Sequence, residues 1–596
     1  MKKILKYFLY LILSFIICNI CFISIDDYQI HLYPSSYFLC FCIFIIFVKF
    51  NKNMISKSTS FIICSIFFGI LSVIGKEYDV CYEFLKNLNF YNSFLIFSQI
   101  ILFSIIFYFF VFILLNDLKQ STDNRNNSCM KLLNSNKLSK IFFFMLLAWF
   151  PYILLSYGGF LHWDAFIEIA QYFHIKNSVT DQVTLINQSQ SITTHHSVLY
   201  TYLLGNFTKI INPNVGLYLF NVLEMLFMIF CISKMFLFLN QNIKQKKILS
   251  YMFMFVCFFP TLPYYFSFIE KDTLFAAIFI LFIIDLYKLS MKQEYNLISL
   301  IITTNLLILL RNNVIYVIIL YLLYLLIKKY SCKNILILLL SIFLTIIGSQ
   351  LFYTVNQITS GSKAEMLSVP FQQTARYVNN YEKEVTKYER EIIDKVLDYD
   401  KLTTDYNPKI SDPIKGTFNQ RKPSNDELKD YFNVWFQMFL KHPLCYVESI
   451  VINQIDNFYL FQQYRVYRSY VLGKTNDQFS VKKDWAVDIS SIGYQYDSNL
   501  NYIDYKFDTL YLRFAYLPII NIFCFGAIYI WLFIISVTNA ITIKNKNYIN
   551  FSIFFILYLL TILLGPCSCK FEFRYLYPFI VTIPIFMMSI LQQRES

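Results

Sequence analysis

Asp164 stands just beyond an apolar run long enough to cross a membrane, in Ser156-Tyr-Gly-Gly-Phe-Leu-His-Trp-Asp-Ala165. A carboxylate at the edge of a bilayer can act as a general base toward a hydroxyl brought within hydrogen-bond reach. If a helix starts near Leu161, Asp164, Glu168 and Gln171 fall on one face at i, i+4 and i+7. The same segment also reads as an amphipathic surface helix with Trp163 as its interfacial anchor. His195-His196 is the next candidate. Adjacent histidines point in different directions on a helix, which disfavours shared ligation of one metal. Two readings stand for them: hydrogen bonding to a phosphate or sugar hydroxyl, or a polar helix start capped by Thr193 or Thr194.

Three short turns carry the remaining chemistry. Glu270-Lys271-Asp272 interrupts an apolar stretch, Arg311-Asn312-Asn313 sits between two apolar runs with almost no loop, and Glu572 and Arg574 make a third such turn. Each alone reads as structural. Together, Lys271, Arg311 and Arg574 are the cations a phosphate would need, arginine being suited by its planar fork. Glu224 and Lys234 lie inside an apolar run, where charge is a functional hint, but Lys234 can snorkel to the surface. No Gly-rich phosphate loop, Walker motif or defensible Ser-His-Asp order is present. No cofactor is read from the chain. A divalent metal is compatible with the chemistry, but no ligand spacing supports one, and Cys567 and Cys569, two apart, do not match a zinc site.

These residues need a membrane scaffold. Of 596 residues, 57% are hydrophobic and 15% charged, against about 25% charged in ordinary soluble proteins. Abundant Phe, Tyr, Ile, Asn and Lys fit an AT-rich genome and by themselves call for no sugar-binding role. The pattern predicts an all-α polytopic membrane protein of about 14 transmembrane helices: 5–25, 33–50, 58–75, 93–115, 139–157, 215–239, 248–268, 273–289, 296–310, 313–328, 334–352, 513–537, 550–566 and 575–592. The net charge of +13 reads as topology and attraction to anionic lipid rather than nucleic-acid binding. With the N-terminus cytoplasmic, the Lys/Arg clusters of the short loops (Lys49 to Lys57, Lys119 to Lys140, Lys244 to Lys247, Lys328 to Lys333) all fall inside. This requires that the apolar segment 196–211 dip into the membrane rather than span it; the alternative is that it spans and another segment does not. The polar clusters then share the opposite, extracytoplasmic face. Four regions follow: an N-terminal four-span region (1–120), a core (139–352) with outer loop 158–195, a mainly helical extracytoplasmic domain (353–512) and a C-terminal three-span region (513–596).

Trp163-Asp164 with Gln171, His195-His196, Glu270-Lys271-Asp272, Leu310-Arg311-Asn312-Asn313, Pro370-Phe-Gln-Gln373 with Arg376, and Glu572-Phe-Arg-Tyr575 resemble, in order and spacing over residues 140–580, the GT-C class of integral membrane glycosyltransferases. That class includes protein O-mannosyltransferases and the aminoarabinose transferase of lipid A. The chain also looks like an uncharacterised family of large Gram-positive membrane proteins of that architecture. The resemblance implies an inverting transfer from a polyprenyl-phosphate-linked sugar donor to a cell-envelope glycan, lipid or protein, on the outer face of a bacterial plasma membrane. It maps the catalytic acid of the first outer loop to Asp164. Two departures stand: Ser197, not Pro, follows the histidine pair, and no second acid adjoins Asp164. A polysaccharide polymerase or ligase is the alternative enzyme. A flippase or transporter would show paired intramembrane charges and repeat symmetry, of which the sequence has little.

Overall fold

The computed structural model describes residues 2–50, 58–82, 89–120, 132–157, 159–177, 179, 192–210, 212–462, 489–495, 498–568, 570 and 573–591. Helices dominate it, as they must where no water can satisfy a backbone amide. Among the described residues, nine helices are long and apolar enough to cross a membrane, including Leu138–Leu155, Pro213–Asn242, Lys271–Ser290 and Phe573–Leu591. Four shorter apolar helices, Ser36–Lys49, Leu297–Leu310, Val314–Ile327 and Gly526–Thr542, accompany them. The chain is a multi-pass, mostly helical membrane protein.

Two expected spans are built differently. Segment 248–268 is not one helix: it breaks at Phe259 and Pro260 into Lys246–Phe258 and Thr261–Phe266, because proline lacks an amide donor and disfavours helix in the residue before it. The expected span 513–537 begins only at Gly526, after a separate helix Ser498–Ala515 and a turn around Pro518. The Val198–Ile210 helix has 13 residues, about 20 Å at 1.5 Å per residue, short of a hydrocarbon core of about 30 Å.

The break at Pro260 has a purpose in the architecture. It turns the chain into a two-residue strand, β2 (Phe268–Ile269), which pairs in parallel with β1 (Phe160–Leu161). Gly159 introduces β1 at φ +80°, and a side chain there would meet Ile269 Cδ1 at 2.8 Å. The strands end in register, His162 N–H donating to the Ile269 carbonyl at 3.3 Å. Each then starts a helix, Trp163–Tyr172 after β1 and Lys271–Ser290 after β2. Two helix N-termini are thus fixed side by side.

The segment 353–512 divides. Residues between Ala364 and Tyr446 form a cap with its own core, including Phe371, Tyr377, Ile393, Leu402, Tyr431 and Met438. Two of its helices start at capping boxes, Thr386 with Glu389 and Ser424 with Glu427. Beyond it the chain rejoins the main core, where Phe461 packs on Phe22 and Phe103.

Buried ion pairs seat the cap. Arg376 pairs with Glu448 and donates to the Tyr82 carbonyl, and Tyr78 O–H donates to Glu448 at 2.8 Å. Lys409 meets Asp456 at 3.0 Å. Removing one partner of such a pair typically costs about 3–5 kcal/mol. Arg376→Ala is therefore expected to lower the unfolding temperature in detergent and expose the cap to protease. Unchanged stability would contradict this seating.

Candidate functional site

Asp164 and Asp272 occupy equivalent places. Each is the second residue of its helix, where the orphan amides and the helix dipole favour a negative charge. Around them lies a row of alternating charge. Lys271 Nζ reaches Asp164 Oδ2 at 3.3 Å, and Arg574 Nη1 reaches the same oxygen at 2.6 Å. Arg574 Nε lies 3.7 Å from Asp272 Oδ2, and Arg311 Nε lies 2.9 Å from Asp272 Oδ1. Arg311 is fixed further by donating to the Tyr558 hydroxyl at 2.7 Å and by lying over the Phe275 and Tyr575 rings. Five charges from four segments thus form one chain: Lys271, Asp164, Arg574, Asp272, Arg311. It is sheltered without being sealed, as Asp164 and Lys271 each keep 14% side-chain exposure.

The histidines here are neutral. Burial, then the Arg574 charge, pushes His162 down to about 3, and burial with the Lys271 charge holds His196 well below its usual value. Accordingly Lys271 donates to His196 Nδ1 at 3.1 Å, and Arg574 to His162 Nδ1 at 3.3 Å. Burial alone would push the Asp164 carboxyl up, but Arg574 and Lys271 outweigh it and hold it well below the carboxylate range. Glu168, one turn along the same helix, is the opposite case: burial raises it to about 8, so it keeps its proton at neutral pH.

The site thus brings together Asp164, Lys271, Arg311, Arg574, His196, Glu270 and Asp272. Glu270 precedes the Lys271–Ser290 helix without a side-chain cap bond, and its Oε2 lies 3.8 Å from His162 Nδ1. Other candidates have different work. Gln171 is buried and clamps Thr193 through its side-chain oxygen and amide, each at 3.2 Å. His195 stacks edge-on against His196 and meets Gly361, on the segment that leads into the cap, where a side chain would come within 3.0 Å of the His195 backbone. Trp163 packs half-buried against the main core. Asn312 donates to the Thr194 carbonyl at 3.3 Å, and Asn313 precedes the Val314–Ile327 helix without a side-chain cap. Arg376 serves the cap seating rather than this cluster. Glu572 lies outside the described residues.

Sequence reasoning placed Glu168 on the face of Asp164 without giving it a role, and did not single out His162. A signal for the paired aspartates was present: Phe160-Leu-His-Trp-Asp164 recurs in pattern as Phe268-Ile-Glu-Lys-Asp272. Among the described residues, no group of three or more His, Cys, Asp or Glu side chains is placed to hold a metal ion.

The arrangement holds three cations, Lys271, Arg574 and Arg311, against two carboxylates, Asp164 and Asp272. No curated protein and no solved structure matches the chain. A family of unknown function, DUF6020, matches residues 36–596, a stretch that contains every residue of this site, and the chain belongs to that family.

Proposed function

We propose that the protein is an inverting glycosyltransferase, moving a sugar from a polyprenyl-phosphate-linked donor to a cell-envelope acceptor at the extracytoplasmic face of a bacterial plasma membrane. The observation that carries the reading is the double hold of Arg574 and Lys271 on Asp164 Oδ2, with Arg311 one aspartate further along. At rest Asp164 occupies the place of a phosphate. A donor phosphate entering the site draws Lys271 and Arg574 onto itself, and Asp164, losing its cations, becomes a stronger base. The acceptor hydroxyl gives its proton to Asp164 while its oxygen attacks the anomeric carbon. The bond from that carbon to the phosphate oxygen breaks, and its electron pair leaves with the lipid phosphate. Lys271, Arg574 and Arg311 stabilise the charge that develops there. The cap, whose leading segment lies beside the His195 loop at Gly361, is where an acceptor would be selected.

A deletion strain tests this in the cell. Its envelope glycans are expected to lack one sugar, restored by the wild-type gene and not by an Asp164→Asn allele expressed to the same level. An unaltered glycan profile in the deletion strain would contradict the reading.

A further inference from the structure

Glu168 is fully buried, and neither carboxyl oxygen has a hydrogen-bond partner among the described residues. An orphaned buried polar group is costly and calls for a role. Asp164 is four residues earlier on the same helix, so the two side chains share a face. The charged groups acting on Glu168 come from three elements: Asp164 on its own helix, Lys271 and Asp272 at the start of the Lys271–Ser290 helix, and Arg574. Behind it lie Tyr200, whose hydroxyl donates to Glu224 at 3.0 Å, and Glu270.

The charge exchange described above creates a difficulty that Glu168 resolves. Once phosphate takes Lys271 and Arg574, Asp164 is a largely buried carboxylate without its cations. Such a group takes up a proton from solvent, and is then lost as a base before the acceptor arrives. We propose that Glu168 is a proton-bearing positioning residue that donates its O–H to Asp164 when substrate phosphate draws the cations away, keeping Asp164 ionised until the acceptor proton reaches it. This rests on the glycosyl-transfer reading for its catalytic part, but not for the claim that Glu168 is a neutral acid in the resting protein.

The neutral acid is tested without activity. A group that keeps its proton to about pH 8 when folded, and loses it near 4.5 when unfolded, makes the unfolded state bind fewer protons across that window. Stability then falls as pH rises from 4.5 to 8. Glu168→Gln, which mimics the protonated form, is expected to flatten that fall in a thermal-unfolding series on the detergent-purified protein, and to remove a protonated-carboxyl infrared band at pH 7. A band and a pH slope unaltered by Glu168→Gln would overturn the proposal.

The positioning role is read from transfer rate against pH. In the wild type the rate should decline above about pH 8, as the donor ionises. Glu168→Gln, with an amide N–H in place of the O–H, should keep most of the activity and lose that decline. Glu168→Ala should move the acidic limb toward higher pH. If the Glu168→Gln profile keeps the alkaline decline, the positioning role is wrong. If the band and slope behave as expected while the wild type transfers no sugar, the glycosyl-transfer reading has failed and the neutral acid stands.

Discussion

Asp164→Asn is expected to slow sugar transfer by about 10²- to 10⁴-fold, the range for loss of a positioned general base, while the protein still folds and binds polyprenyl phosphate more tightly than the wild type. The two effects have one cause. Asparagine cannot accept the acceptor proton. It also no longer competes with phosphate for Arg574 and Lys271, which contact Asp164 Oδ2 at 2.6 and 3.3 Å. Single-turnover transfer and equilibrium binding of polyprenyl phosphate separate them. A residue that only anchored a surface helix would leave both measurements unmoved. Weakened phosphate binding in this variant would contradict the exchange of partners, even if transfer were lost.

Arg574→Ala should damage stability and phosphate binding as well as transfer, because Arg574 is the hinge of the charge row. Its guanidinium stands between Asp164 and Asp272, 2.6 and 3.7 Å away. Its loss leaves two nearly buried carboxylates short of a partner, a change of the kind that costs about 3–5 kcal/mol. Transfer should fall by about 10²- to 10³-fold, as when one preorganised transition-state contact is removed, and polyprenyl phosphate binding should weaken with it. Arg574→Lys should recover stability better than transfer, since a point charge can pair with one carboxylate but lacks the fork that spans both. Equal recovery of both would mean that Arg574 serves only the fold.

The cations beside Asp164 were legible because each interrupts an apolar run. Lys271, Arg311 and Arg574 sit where helices end, and a charge at a helix end within a bundle has few places to go. The strands that align the two aspartates were not legible by periodicity, since two residues make no alternating pattern. What remained visible was the recurrence of Phe-Leu-x-x-Asp as Phe-Ile-x-x-Asp. Pro260 could have announced the break in segment 248–268, but the apolar run around it outweighed one residue. Arg376 and Gln171 show a different limit. Spacing puts a side chain on a helix, whereas its partner, Glu448 or Thr193, depends on packing between segments distant in sequence. The same holds for Lys76, Glu77 and Asp79 at the end of the Thr59–Val80 helix. Lys76 donates to Gln99 at 2.6 Å, Glu77 accepts from the Ser24 hydroxyl at 3.0 Å and Asp79 pairs with Lys570 at 2.7 Å, which draws the N-terminal helices into the scaffold rather than leaving them apart.

The most direct test is release of polyprenyl phosphate from a panel of polyprenyl-phosphate sugars by the purified full-length protein in lipid vesicles, with an envelope extract as acceptor. The wild type should consume at least one donor, place its sugar on an acceptor in the extract and release the lipid phosphate, and Asp164→Asn should not. A wild type that turns over no donor, or an Asp164→Asn protein that matches it, would contradict the account.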